Sequence, residues 1–173
     1  VLRAFKNPDI INTQQDINPL KEKEILDVEL ILKDLETVNK RIDGLAGDIK
    51  VGKKEAIKEN EVLKKAKDYL AQEKILTEQE FTEDEKEILK QYQFLTLKPR
   101  LYLLNGKDEE VDQEMLQTLR RSGSFRQNNC VILDVVTEFE AGDLKKADRI
   151  ELGLPELSGT DILIKKSYEL LNL

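Results

Sequence analysis

Apolar positions recur along this chain in two rhythms, and the change between them divides it. From Pro19 to about Ala46 they fall three and four residues apart. Ile25, Val28, Leu32, Leu35 and Ile42 form one stripe with Asn39 as its polar member, and Ile31, Val38 and Leu45 form a second beside it. That spacing predicts a long helix whose apolar face is wider than a two-stranded coiled-coil seam. Asn18 is placed to cap it, and Pro19 suits the first helical position, where its missing N–H is not needed. After the segment Gly47 to Gly52 the helical rhythm resumes from Lys53 to about Glu73, with Ile57, Leu63, Ala66 and Leu70 on one side. Two helices of similar length joined by a few residues are expected to fold back as an antiparallel hairpin. Within it Asn39 is either a register-setting polar residue or one tolerated near a solvated tip.

Thr82-Glu83-Asp84-Glu85 is a capping box, predicting a third helix through Ile88 and Leu89 to about Phe94, and Pro99 closes that connection. The rhythm then changes. Arg100 to Leu104 is a compact apolar run read as a strand, and Glu109 to Arg121 carries Val111, Met115 and Leu119 at helical spacing before Ser122-Gly123-Ser124 ends it. Cys130 to Val136 is a second largely apolar run, rich in β-branched residues and too short for a typical helix. Strand, helix, strand in that order implies a parallel βαβ unit. Val1 to Phe5 is a weaker strand. Ser158-Gly159-Thr160-Asp161 caps a last helix, whose Ile162, Ile164, Tyr168 and Leu171 are expected to pack on the sheet or on a neighbouring helix.

Composition narrows the chemistry. The 173 residues contain no histidine and no tryptophan, and carry a net charge of −7 with 36% charged residues. Without histidine, imidazole acid–base catalysis and the commonest zinc ligands drop out. The acidic balance argues against whole-surface attraction to nucleic acid, while local basic patches remain possible. The single cysteine, Cys130, lies in an apolar run and reads as a small hydrophobe rather than a nucleophile. No apolar run approaches the roughly 20 residues that span a bilayer, and no charged-then-apolar leader opens the chain, so no membrane partner and a cytoplasmic location are expected. The chain opens on Val1 rather than Met, so it is expected to be part of a longer polypeptide.

Two stretches bear on nucleotide binding. Gly47 to Lys54 satisfies G-x-x-x-x-G-K and then places Lys54 where a Mg²⁺-binding hydroxyl belongs. Such a loop works only between a buried strand and a helix, and the preceding residues are helical, so this segment is read as the hairpin tip. The second stretch is Asn105-Gly106-Lys107-Asp108, just past the strand ending at Leu104. In open α/β sheets ligands bind beyond the carboxyl ends of strands. An asparagine there can hold a purine and the neighbouring loop, and Asp108 can accept hydrogen bonds from guanine N1–H and the exocyclic amine. A backbone N–H at Val135-Val136-Thr137, where the next strand is expected to end, can donate to the exocyclic oxygen. Asn-Gly-Lys-Asp is also a common turn sequence, so spacing alone leaves both readings open.

Beyond these stretches, Val1-Leu2-Arg3-Ala4-Phe5, Pro8-Asp9-Ile10-Ile11, Ile17-Asn18-Pro19, the run Glu29 to Val38, Leu95-Thr96-Leu97-Lys98-Pro99, Glu151-Leu152-Gly153-Leu154, Ser158-Gly159 and Ser167 to Leu171 follow in order. In these the chain resembles the YchF/Obg-like family of translation-factor-related GTPases. The resemblance implies an α/β fold: a partial parallel sheet of a P-loop G domain with an inserted antiparallel helical hairpin, a coiled coil. Residues 1–17 would be a G-domain strand and connection, 18–81 the helical insertion, and 82–173 the base-binding half of the G domain. The phosphate loop and switch regions would precede Val1, and a TGS domain would follow Leu173. Family members bind and hydrolyse ATP or GTP and associate with ribosomes. Asn105, Gly106, Lys107, Asp108, Val135, Val136 and Thr137 are thereby the candidate base-binding residues, with no catalytic residue and no Mg²⁺ ligand assigned in this chain. Four departures stand out. Asp108 takes the place of the family's glutamate, Gly106 that of the GTPase lysine that covers the base, Val135-Val136-Thr137 that of the small-residue motif expected beside the base, and Asn12-Thr13 that of a common His-Val pair.

The leading expectation is therefore the base-recognition part of a YchF-like nucleotide-binding protein with a ribosomal or RNA partner. Alone it is expected to be inactive, since γ-phosphate transfer needs the phosphate-loop lysine and Mg²⁺. The alternative is a non-enzymatic interaction module whose hairpin tip, with Lys50, Lys53, Lys54 and Lys58, docks on a ribosomal or protein partner. An ordinary solvated tip, with Glu55 and Glu59 interleaved, gives the same charge pattern. A chain that keeps the fold and has lost nucleotide binding is the third reading.

Overall fold

The computed structural model describes residues 1–5, 17–107, 111, 117 and 129–173. The helix expected over Glu109 to Arg121 lies outside the described residues, apart from Val111 and Gln117. The chain forms two compact units, one of residues 24–98 and one of residues 1–23 with 99–173.

In the helical unit, α1 (Pro19–Lys50) starts on the expected cap, with Lys21 N–H donating to Asn18 Oδ1 at 3.1 Å. It is followed by α2 (Lys54–Ala71) after a turn in which Gly52 takes φ +78°, a left-handed conformation that favours glycine. Arg41 Nε meets Glu59 Oε1 at 2.6 Å across 18 positions of sequence. On one continuous helix those positions would stand about 27 Å apart, so the chain doubles back.

The wide apolar face expected on α1 is buried only in part. Ile31, Val38 and Leu45 are sealed in the core and Leu35 and Ile42 pack against it, while Ile25, Val28 and Leu32 are 40–51% exposed and Asn39 lies in water, outside that core. The reason is what returns to cover the helix. After α2 the chain passes through a 3₁₀ turn (Leu76–Glu78), α3 (Glu83–Lys90) and a second 3₁₀ turn (Leu95–Leu97), placing Leu76, Phe81, Leu89 and Phe94 in the same core. Asp34, on the buried side of α1, accepts hydrogen bonds from Leu95 N–H (2.9 Å), Thr96 N–H (2.8 Å) and Thr96 Oγ1 (2.7 Å). On α2, Ala56 and Val62 join Leu63, Ala66 and Leu70 inside, whereas Ile57 is exposed. The helical unit thus runs to Lys98 rather than 81, because residues 75–97 complete its core. The Thr82–Glu85 capping box forms as read, but α3 stops at Lys90, since Phe94 turns inward and is buried.

The other unit is built on a parallel sheet of β1 (Leu2–Arg3), β2 (Tyr102–Asn105) and β3 (Cys130–Leu133), in the order β1-β2-β3. Leu2 pairs with Leu104, and Leu104 with Ile132, which sets Leu104 at the centre. Leu2, Ala4, Tyr102, Leu104 and Val111 form its core, with Cys130 packed against it as a half-buried apolar side chain. Three helices follow: α4 (Val135–Glu140), α5 (Lys146–Glu151) and α6 (Gly159–Leu171). α6 starts on the expected Ser158–Asp161 capping box. Of the residues expected to pack, Ile162 is half-buried while Ile164, Tyr168 and Leu171 are each more than half exposed; the start of the helix lies against β3, where a Cβ on Gly159 would fall 1.8 Å from Leu133 Cδ1.

Candidate nucleotide-base site

The carboxyl end of β2 is held from both sides. Asn105 C=O accepts from Ala4 N–H at 2.8 Å, and Gly106 N–H donates to Leu133 C=O at 3.1 Å, extending the ladder one residue past the strand. Gly106 sits so close to β1 that a Cβ would lie 3.0 Å from Ala4 C and 3.2 Å from Phe5 N. Gly106 is a buried backbone contact, where a side chain would need the β1 backbone to give by a few tenths of an ångström.

The apolar run expected to continue as a strand through Val136 stops at Leu133, and Val135, Val136 and Thr137 form the first turn of α4. Asp134 causes the switch. Its side chain accepts from Val136 N–H (3.1 Å), Thr137 N–H (3.4 Å) and Thr137 Oγ1 (2.5 Å), satisfying donors that a helix start leaves open. The Thr137 hydroxyl, with smaller help from the two N–H groups and the Lys107 charge, holds the Asp134 carboxyl below its ordinary range. The remaining donor, Val135 N–H, goes to Asn105 Oδ1 at 3.2 Å.

Asn105 therefore joins the two loops that sequence placed around a base. Gly106 stands between them and Lys107 is exposed. Asp108 lies outside the described residues. Sequence reasoning missed Asp134, although an aspartate between an apolar run and a helix is an N-cap signal. It also missed Arg149, buried on α5, whose guanidinium pairs with Glu138 Oε1 at 2.9 Å and donates to Pro155 C=O at 3.0 Å, bracing α4 from behind. The G-x-x-x-x-G-K stretch lies at the end of α1, the turn and the start of α2, so it has no strand before it.

The comparisons fit this geometry. No family model matches the chain. Its whole length aligns with the ribosome-binding ATPase YchF of Bacillus subtilis at 35% identity, and with the YchF proteins of Haemophilus ducreyi at 31% and Escherichia coli O157:H7 at 30%. Over its whole length the chain is thus similar to YchF proteins. It spans about half the length of these curated relatives, 49% of each. The solved structure of the Schizosaccharomyces pombe YchF GTPase has the same fold over 99% of the chain and 49% of its own, with a TM-score of 0.80 at 23% identity. The α/β architecture with a helical insertion, expected from the YchF resemblance, is thus the architecture found. No helix among the described residues is long and apolar enough to cross a membrane.

Proposed function

We propose that this chain supplies the base-recognition half of a purine-nucleotide site in a ribosome-associated, YchF-like protein, with adenine the preferred base. The observation that carries this reading is the Asn105–Val135 hydrogen bond at the carboxyl end of a parallel sheet. With Oδ1 engaged, the Asn105 amide is oriented and its Nδ2 is the group left to donate to a purine ring nitrogen. The same geometry sets the preference. Val135 N–H donates to Asn105, and Val136 and Thr137 N–H to Asp134, so none of the three is left for the 6-oxo group of guanine. Lys107 lies exposed beside Asn105 and Gly106, and the chemistry assigned to Asp108 is that of an acceptor for an exocyclic amine.

The triphosphate and its Mg²⁺ fall to the half of the relatives' length that this chain does not span. Among the described residues no three His, Cys, Asp or Glu side chains stand together as an ion site. The chain's own part is to select and orient the base, which by itself makes few contacts and gives weak affinity. Titrating the ¹⁵N-labelled chain with ATP should shift the Asn105 side-chain amide and the Val135 amide at millimolar nucleotide, with smaller shifts for GTP and none in Asn105→Ala. Micromolar binding would contradict the half-site, equal response to GTP would remove the adenine preference, and silence at millimolar ATP would remove the base site.

The tip-docking module is the weaker reading. Of its four lysines, Lys53 pairs with Asp48 at 2.8 Å and Lys58 with Asp84 at 2.9 Å, which halves the charge free to meet a partner.

A further inference from the structure

The stripe that the helical core leaves uncovered is contiguous. Ile25, Val28 and Leu32 follow one another three and four residues apart along α1, Leu26 adjoins them, and the four are 40–51% exposed. A patch of this kind on a helix already anchored by its opposite side marks an interaction surface rather than scattered surface apolarity. Its spacing is that of a row into which a second helix fits.

The charges around it select the partner. Glu24 and Glu29 are exposed one turn from Ile25, Val28 and Leu32, and Glu36 follows one turn beyond Leu32. Of the nearby cations, Lys33 is tied to Glu36 at 2.6 Å, Lys23 is buried and Lys21 is exposed. A second copy of this chain would bring Glu24 and Glu29 against their own kind, which works against self-pairing. We infer that the Ile25–Leu32 face of α1 is a docking site for an amphipathic helix of a partner protein, with an apolar row flanked by lysine or arginine. The site is independent of the base loop, and its test does not involve nucleotide.

The probe is a fluorescent 18-residue synthetic helix with leucines at three- and four-residue spacing flanked by lysines. It is compared with a scrambled peptide of identical composition and with a glutamate-flanked version, using anisotropy with the full 173-residue chain. The lysine-flanked helix should bind at least tenfold more tightly than either control. Ile25→Ser/Leu32→Ser, which touches only exposed side chains, should lose that advantage. Glu24→Lys/Glu29→Lys, which keeps the apolar row, should transfer it to the glutamate-flanked peptide. Equal binding of ordered and scrambled peptides, or no change in either variant, would overturn the inference. So would a concentration-dependent dimer by sedimentation that Ile25→Ser/Leu32→Ser dissolves, since the occupant would then be a second copy.

Discussion

In the helical unit Val38, Leu63, Ala66 and Leu89 are sealed from water, whereas in the sheet unit α6 leaves Ile164, Tyr168 and Leu171 more than half exposed and α4 leaves Phe139 86% exposed. The first unit closes its core with residues it carries itself, drawn from α1, α2 and the returning segment. The second keeps a small core around Leu104 and shapes its loops with backbone hydrogen bonds and the caps of Asp134 and Ser158. Stability and candidate function therefore lie in different places. Substitutions that unfold the helical unit should leave little trace of their chemistry, and those that disturb the base loop should be mild.

That contrast can be tested by urea denaturation followed by circular dichroism, with amide exchange assigning each change to its unit. Leu63→Ala should destabilise the helical unit most, by about 3 kcal/mol, from lost transfer energy plus the cavity left behind. Asp34→Ala leaves two N–H groups and a hydroxyl at Leu95 and Thr96 without their acceptor, and should cost on the order of 2–3 kcal/mol. If it costs under half of that, water replaces the carboxylate and the return segment is held by packing alone. Gly106→Ala should cost about 1–2 kcal/mol, with faster exchange confined to β1 and β2. Glu59→Gln should cost about 0.5–1 kcal/mol at neutral pH, since Arg41 is half-exposed.

The last of these has a pH signature. Arg41 holds the Glu59 carboxyl below its ordinary value, so the unfolded chain binds that proton more readily than the folded one. The stabilisation is complete above the ordinary carboxylate range and disappears as pH falls through the lowered folded value. Glu59→Gln should therefore flatten part of the acid limb of the stability curve. Ile164→Ser, at the far end of the scale, should change stability by no more than about 0.5 kcal/mol; a larger loss would mean that α6 packs more deeply than it does here.

Local signals were legible from the residues. Asn18-Pro19, Thr82–Glu85 and Ser158–Asp161 each start a helix where read, because a cap is decided by residues within one turn. The two apolar stripes of α1 were also visible, but which of their positions are covered depends on residues 75–97 returning over Asp34, and periodicity carries no information about a neighbour. The run Cys130 to Val136 hid a strand-to-helix change because Val135 and Val136 suit either state, and only the Asp134 side chain decides. At the site, Asn105 was legible as a strand-end residue. Its hydrogen bond to Val135 was not, since it joins residues 30 apart in sequence through the sheet.

The tight contact at Gly106 also limits how this loop can change. A side chain at this position would press on the peptide between Ala4 and Phe5, and the end of the first strand would have to give by a few tenths of an ångström to admit it. A change at Gly106 is thereby coupled to β1, a hundred positions away in the chain.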